Sequence, residues 1–313
     1  MTAPAAPDRQ SGWSSQLARI GAEHGFYDPL DGTHKALFVR GDDTLVVTFD
    51  NLDDARQDVA ERLPWGVKFI NSQGWSALGI GAHGWTWYRS PAVYDFFDRL
   101  RDQSFFNQFR RVVFYGASMA GYAAAAFSSA APGATVIALS PQATLDRAVT
   151  TGWETRYRLA WRHDFSGRYG YAPDQVQSAE RMWLLFDPLM PIDASHAALF
   201  RGAHIHKIRC RHFGHNTGTA LKNIDALKPF VTECVTGQAS LASVYRLMRA
   251  RRMVPWYQKL MLQKLQQKGR ADLLHAYCSA VVRQSHPQRR PHFLNEANLA
   301  AARLGRPPLQ PPA

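Results

Sequence analysis

Three side chains in this sequence have the types that nucleophilic catalysis needs. Ser118 follows the apolar run 112–115, Asp187 follows the run 182–186, and His215 comes later still. A serine hydroxyl becomes a strong nucleophile only beside a base that takes its proton, and an acid must orient that base and stabilise its charge. We therefore interpret Ser118 as a nucleophile, His215 as its base and Asp187 as the acid.

The chain around Ser118 predicts a sharp turn from a buried strand into a helix. Gly116, Ala120 and Gly121 are small enough to let the strand and the helix approach closely, and the alanine-rich run that follows favours a helix. The first N–H groups of a helix point outward, and its dipole favours negative charge there. This is where an attacking hydroxyl and its oxyanion would lie. The alternative is that Ser118 only caps the helix.

Segment 116–121 resembles the nucleophile elbow of the α/β-hydrolase superfamily, G-x-S-x-G, with Ala120 in the place of the second glycine. Asp187-Pro188-Leu189-Met190-Pro191 is similar to the acid loop of that superfamily, D-P-x-x-P, and Phe213-Gly214-His215-Asn216 is similar to its G-H loop. The order serine, acid, histidine is also that of the superfamily. The resemblance extends over residues 20–235.

The resemblance implies a serine hydrolase, a carboxylic ester hydrolase that transfers an acyl group to water without a cofactor. Its oxyanion hole would use the backbone N–H of Met119 and that of Asn51 or Leu52. Segment 142–180, rich in arginine and aromatic residues, resembles a cap over the site. That composition favours a small-molecule or glycan ester, anionic or sugar-bearing, over a long acyl chain.

The acid and the base each have an alternative. Asp187 could instead cap the helix that follows it, and Asp193 would then be the acid. His212 stands three residues before His215 and could be the base, although it lacks the Gly-His context.

Metal and nucleotide sites find little support in the sequence. His204 and His206 share a strand face, but no carboxylate or thiolate completes a recognisable metal-ligand spacing with them. Neither a phosphate-binding loop nor a dinucleotide fingerprint is present. We therefore expect neither a metal nor a cofactor.

Strands that alternate with helices, and that are apolar along their whole length, predict an α/β fold with a mostly parallel sheet and helices on both faces. Further helices follow in the C-terminal part. The predicted strands are 35–40, 44–49, 67–71, 77–81, 112–115, 134–139, 182–186 and 204–209. The predicted helices are a short one ending at 63, then 91–100, 122–127, 193–200, 220–234, 241–252, 255–267, 270–284 and 291–304.

Charge divides the chain. The sequence has a formal net charge of +12, and residues 236–313 carry thirteen Lys or Arg against Asp272 and Glu296, a net +11. We therefore predict a flexible leader over 1–19, an α/β-hydrolase-like domain over 20–235 with a cap insertion at about 142–180, and a basic helical tail over 236–313. The alternative function is a non-catalytic binding protein whose tail holds nucleic acid or another polyanion through its charge and aromatic residues.

The composition is that of a globular protein, with 46% hydrophobic and 12% aromatic residues in 313. No apolar run is long enough to span a bilayer, and the polar N-terminal segment does not resemble a secretory signal. The three cysteines are widely spaced and odd in number, which argues against a disulfide framework. We expect a cytoplasmic protein, and the sequence predicts no oligomeric state.

Overall fold

A computed structural model describes residues 9–50, 63–284 and 290–310. The described residues fall into two compact units. The first runs to Lys222 and includes Leu227–Leu241, and the second consists of Asn223–Ala226 and the chain from Ala242 onward. The first unit contains the whole sheet, and the second is helical.

The first unit is built on one sheet, and the described residues contribute eight strands to it. In chain order, β1 to β8 cover Gly25–Asp28, His34–Val39, Thr44–Phe49, Ser76–Ala82, Arg111–Ala117, Thr135–Leu139, Arg181–Phe186 and Ile205–Arg209. Their spatial order is β1-β2-β4-β3-β5-β6-β7-β8. Strand β2 pairs antiparallel with both of its neighbours, and every other pairing is parallel. Because β3 to β8 run in one direction, their carboxyl ends meet at one edge of the sheet.

The described part of the first unit contains nine α-helices, and several of them pack on the sheet. In chain order, α1 to α9 cover Arg9–His24, Val67–Ser72, Pro91–Asp102, Met119–Ala126, Arg147–Thr150, Ala172–Gln175, Pro191–Leu199, Thr217–Lys222 and Leu227–Val235.

The central strands are buried on both faces, which explains why their sequences are apolar without alternation. Val113 and Phe114 are successive residues of β5, so they point to opposite faces of the sheet, and both are at most 1% exposed. Phe114 belongs to a core that includes Phe97 of α3 and Phe127, whose rings stack with centroids 4.5 Å apart. The predicted parallel sheet, covered on both faces, is therefore confirmed.

Two local predictions differ from the structure, and one strand was not predicted. Segment 67–71 forms helix α2 and not a strand, since Val67 and Ile70, three residues apart, are the positions that it buries. The short edge strand β1 was not predicted. Residues 9–19 belong to helix α1, where the sequence predicted a flexible leader. The helix predicted to end at 63 lies mostly outside the described residues.

The second unit is formed by helices α10 to α13, which cover Leu241–Met248, Pro255–Gln267, Ala271–Gln284 and Arg290–Arg303. These bounds lie close to the predicted ones. Its core contains Leu262, Leu274, Cys278 and Phe293. Phe293, one of the aromatic residues of the predicted basic tail, is buried in that core.

None of the three cysteines is in a disulfide bond. Among the residues that the structure describes, no helix combines the length and the apolar character that crossing a membrane requires.

Candidate active site

Ser118 lies at the turn between β5 and α4, at the carboxyl edge of the sheet. Its backbone has φ +52° and ψ −119°, an unusual conformation for a residue with a side chain. The N–H of Ser118 donates to the carbonyl of Leu139, at the end of β6 (2.9 Å). A Cβ atom at Gly116 would lie 2.1 Å from the carbonyl oxygen of Ala120, so only glycine fits there. The predicted close approach of strand and helix is therefore present.

His215 contacts both Ser118 and a carboxylate, one through each ring nitrogen. The Oγ of Ser118 lies 2.9 Å from Nε2 of His215. On the other side of the ring, Nδ1 lies 2.9 Å from Oδ2 of Asp193. An ionised carboxylate can only accept, so Nδ1 carries the hydrogen and Nε2 is left to accept the proton of the serine hydroxyl. A serine, a histidine and an aspartate thus form one continuous hydrogen-bonded chain.

Asp187 does not occupy the position beside His215 that the sequence predicted for it. One carboxylate oxygen accepts the N–H of Leu189 and the other accepts the N–H of Gly214, both at 2.9 Å. With the residue only 2% exposed, these bonds hold the loop after β7 to the loop that carries His215. Asp193, the alternative acid, stands beside the histidine. It is the third residue of α7, so its side chain is aimed by the first turn of a helix.

Asp193 keeps its negative charge although it is buried. Burial alone would raise the pKa of its carboxyl, but the hydrogen bonds and charges of His215 and Arg156 outweigh it and hold the pKa below its ordinary value. Its side chain is 1% exposed. The carboxylate is therefore ionised at neutral pH and can stabilise a positive charge on the imidazole.

Arg156, from the segment predicted as a cap, forms a second contact with Asp193. Its Nη1 donates to Oδ1 of Asp193 at 2.6 Å and lies 3.4 Å from Nδ1 of His215. The same guanidinium pairs with Glu154, whose carboxylate accepts from Nη2 at 2.7 Å. Glu154 in turn accepts from Nε2 of the fully buried His196 at 2.9 Å.

Glu154 is also ionised. Burial alone would raise its pKa, but hydrogen bonds from His196 and Arg156 outweigh burial and lower the pKa to about 2. The pKa of Arg156 is raised, since the two carboxylates outweigh the opposing effect of its burial. Two carboxylates and one guanidinium therefore keep their charges next to the histidine.

Tyr157 brings a second hydroxyl to His215. Its OH lies 3.2 Å from the same Nε2 that contacts Ser118. Its ring packs edge-on against Trp87, with centroids 5.0 Å apart, and under the guanidinium of Arg156. Burial raises the pKa of the phenol, so the hydroxyl is neutral and can donate a hydrogen bond.

The other candidate histidines lie elsewhere. His215, and not His212, is the histidine in contact with Ser118. His204 donates from Nε2 to the carbonyl of Val176, and His206 packs on the ring of Trp183. Among the described residues, no group of three His, Cys, Asp or Glu side chains is arranged to hold a metal ion.

The sheet, mostly parallel, carries Ser118 at a sharp strand-to-helix turn on its carboxyl edge, with the histidine in a loop after the last strand. The chain has the α/β-hydrolase fold. The fold expected from the sequence is therefore confirmed.

Solved structures of similar fold include several acyl-handling proteins. One is the capsule O-acetyltransferase of Neisseria meningitidis serogroup A, with 12% identity, a TM-score of 0.41, and coverage of 66% of this chain and 92% of that chain. An esterase of Pyrobaculum calidifontis has 14% identity and a TM-score of 0.43, with 75% and 92% covered. Acetyl xylan esterase 1 from Thermoanaerobacterium sp. JW/SL YS485 has 10% identity and a TM-score of 0.43, with 76% and 96% covered.

No protein-family profile matches the chain, and no curated protein matches it in sequence.

In an α/β-hydrolase fold, the oxyanion hole combines the N–H after the serine with one from a loop near the site. Met119 is the first residue of α4, so its N–H has no carbonyl partner one turn earlier in that helix. Asn51 and Leu52, the predicted second donors, lie outside the described residues.

Sequence reasoning did not identify Glu154, Arg156, Tyr157 or His196 as neighbours of the candidate site. The first three belong to an irregular stretch between α5 and a short 3-10 helix, where neither period nor motif marks a position. The only available signal was the high arginine and aromatic content of 142–180.

Proposed function

We propose that this protein is a serine hydrolase that cleaves an ester or a related acyl bond. Ser118 is the nucleophile, His215 the general base and acid, and Asp193 the acid that orients the histidine. The observation that carries the proposal is the unbroken chain from Ser118 Oγ to His215 Nε2 and from His215 Nδ1 to Asp193 Oδ2, with 2.9 Å at each step. The strained conformation of Ser118 supports it, because a nucleophile elbow holds its serine in this way.

The reaction begins when the Ser118 oxygen attacks the carbonyl carbon of the ester and its proton moves to Nε2 of His215. The carbonyl oxygen becomes an oxyanion beside the N–H of Met119. The imidazolium donates its proton to the departing alcohol, which leaves an acyl group on Ser118. Water then attacks this acyl-serine, gives its proton to Nε2, and the carboxylic acid departs as the serine recovers its proton.

Asp193 contributes by holding one tautomer and by stabilising the imidazolium. With Nδ1–H directed at the carboxylate, Nε2 carries no hydrogen of its own and can accept the proton of Ser118. Burial of the carboxylate keeps water from competing for that bond.

The test is covalent labelling of the pure protein by a fluorophosphonate, which reacts with an activated serine. We expect stoichiometric labelling of wild type, none of Ser118→Ala, and almost none of His215→Ala, because the two residues act as a unit. Hydrolysis of p-nitrophenyl acetate should follow the same pattern.

Ser140 offers a matched control. It also follows a strand of the sheet and has a positive φ of 45°, but its hydroxyl is buried against Thr217 at 2.7 Å. Ser140→Ala should label like wild type. Equal labelling of wild type and Ser118→Ala would refute the proposed function.

A further inference from the structure

Arg156 places a positive charge close to His215, because its guanidinium contacts the same Asp193 carboxylate that contacts the histidine. Nη1 of Arg156 is 2.6 Å from Oδ1 of Asp193, while Oδ1 and Oδ2 are 3.0 and 2.9 Å from Nδ1 of His215. A positive charge this close opposes protonation of the imidazole. Taken alone, Arg156 would weaken the assistance that Asp193 gives to the histidine.

Glu154 compensates for that charge. Its carboxylate is fully buried and pairs with Nε and Nη2 of Arg156, while the backbone N–H of Arg156 also donates to it at 2.8 Å. His196 fixes the far side of the carboxylate. Nδ1 of His196 accepts the N–H of Ala143 at 3.1 Å, so Nε2 carries the hydrogen and donates to Glu154. The carboxylate is thus held in place from three directions.

We propose that Glu154 and Arg156 are positioning residues that form a charge-balancing pair, which sets how readily His215 takes the proton of Ser118. The proposal rests on the proposed function of that site. Arg156 holds the Asp193 carboxylate against Nδ1 of the imidazole, and Glu154 cancels the charge that Arg156 brings. The negative charge of Asp193 is then not offset by Arg156, and it stabilises the imidazolium.

Other ionisable groups near His215 also affect how readily it takes a proton. Among the described residues, the ionisable groups that contact His215 or adjoin its partners are Tyr157, Arg156, Glu154, Asp193, His196 and Asp187. The phenol is neutral, His196 is buried and its pKa is lowered, and Asp187 is engaged by two backbone N–H groups. Arg156 is therefore the positive charge in contact with the acid–base pair.

The proposal predicts shifts of opposite sign when each partner is neutralised. In Arg156→Gln the site loses a positive charge and the imidazolium is favoured. The acid limb, the pH range over which the labelling rate falls on acidification, should therefore shift to higher pH by about one unit. In Glu154→Gln the site loses a negative charge, and the limb should move down by about the same amount. The double variant should return to within about 0.3 units of wild type, since the two effects cancel.

The measurement is the second-order rate of fluorophosphonate labelling between pH 4 and 9, with circular dichroism to confirm folding. A rate for the free enzyme reports the protonation state of its base, and the substrate need not be known. Arg156→Lys keeps the charge and should keep the acid limb within about 0.3 units, although its single ammonium cannot reproduce the forked contacts. A loss of packing alone would not move two variants in opposite directions.

Shifts in the same direction, or no shift in either single variant, would overturn the proposal. If Arg156→Gln does not fold, Glu154→Gln decides alone, and the absence of a downward shift refutes charge balancing. These outcomes differ from failure of the proposed function, in which Ser118→Ala would label as fast as wild type.

Discussion

Replacing Asp193 or Asp187 with asparagine distinguishes between the two carboxylates that could orient His215. Each change removes one negative charge and leaves the shape of the side chain almost unaltered. Both residues are only 2% exposed, so the two variants are matched in burial. They differ in their partners, since Asp193 contacts His215 and Arg156, whereas Asp187 accepts two backbone N–H groups.

The labelling rates of the two variants are expected to differ by orders of magnitude. Asparagine at 193 can present its N–H₂ to Nδ1 of His215, which favours the tautomer with the hydrogen on Nε2 and removes the acceptor for the Ser118 proton. Such a change in a serine triad lowers the rate by about 10⁴. Asp187→Asn loses one charge-assisted hydrogen bond, which costs about 2 kcal/mol of stability, and should leave the labelling rate within about tenfold of wild type.

The free energies of unfolding of the two variants provide a second comparison. Loss of one partner of a buried ion pair costs about 3–5 kcal/mol. Arg156 keeps Glu154 as a partner in Asp193→Asn, so we expect about 3 kcal/mol, the lower end of that range. Both variants should therefore be folded but destabilised, and only one should be inactive.

The assay is fluorophosphonate labelling per folded molecule, with the free energy of unfolding measured in urea. Labelling of Asp193→Asn at more than a tenth of the wild-type rate would refute the assignment of the acid. A larger loss in Asp187→Asn than in Asp193→Asn would show that the loop bonds of Asp187, and not the contact of Asp193, govern the histidine.

Four further results are expected. Gly116→Ala should destabilise the protein by about 3 kcal/mol in urea, because its Cβ would meet the Ala120 carbonyl oxygen at 2.1 Å, while Gly32→Ala, with nothing within 4 Å, should be near neutral. The depressed pKa of Glu154, about 2, stabilises the fold fully above about pH 4.5, and this contribution is lost as the pH falls toward 2. Wild type should therefore lose about 3 kcal/mol more than Glu154→Gln over that window in urea titrations. Tyr157→Phe should slow labelling by no more than about tenfold, since it removes one neutral hydrogen bond at 3.2 Å. If the tail binds polyanions, the full chain should be retained on heparin with a steep dependence on salt, and elution at low salt would remove that alternative.

The sequence predicted the fold well because its decisive signals are local. Apolar runs bounded by glycine, proline or charged residues marked the central strands, and both faces of those strands are indeed buried. Proline at the first position helped to locate the starts of α3 and α11. The run 67–71 failed because five residues with three apolar positions fit a strand as well as a helical turn.

The contact of Ser118 with His215 was predictable because each residue sits in a recognisable loop. Which aspartate contacts the histidine was not predictable, since both follow β7 within seven residues and either could reach it. Which of the two aspartates contacts His215 depends on where α7 begins. Met190 precedes its first turn and Pro191 opens it, so Asp193 lies inside the helix and points at the imidazole, while Asp187 remains in the loop.

The segment predicted as a cap brought the largest surprise, because two of its five arginines, Arg156 and Arg168, form ion pairs with carboxylates of the protein itself. Arg156 is bound by Glu154 and Asp193, and Arg168 is paired with Asp95 at 2.8 Å and with Asp98. An anionic ester would have to displace these carboxylates, and the buried ones cannot move into water without leaving Arg156 unpaired. Segment 142–180 also brings a neutral hydroxyl, that of Tyr157, beside Ser118 and His215, next to the ring of Trp87. A phenol and an indole suit a neutral substrate such as a sugar ester, so of the two substrate classes predicted from the sequence we expect the uncharged one.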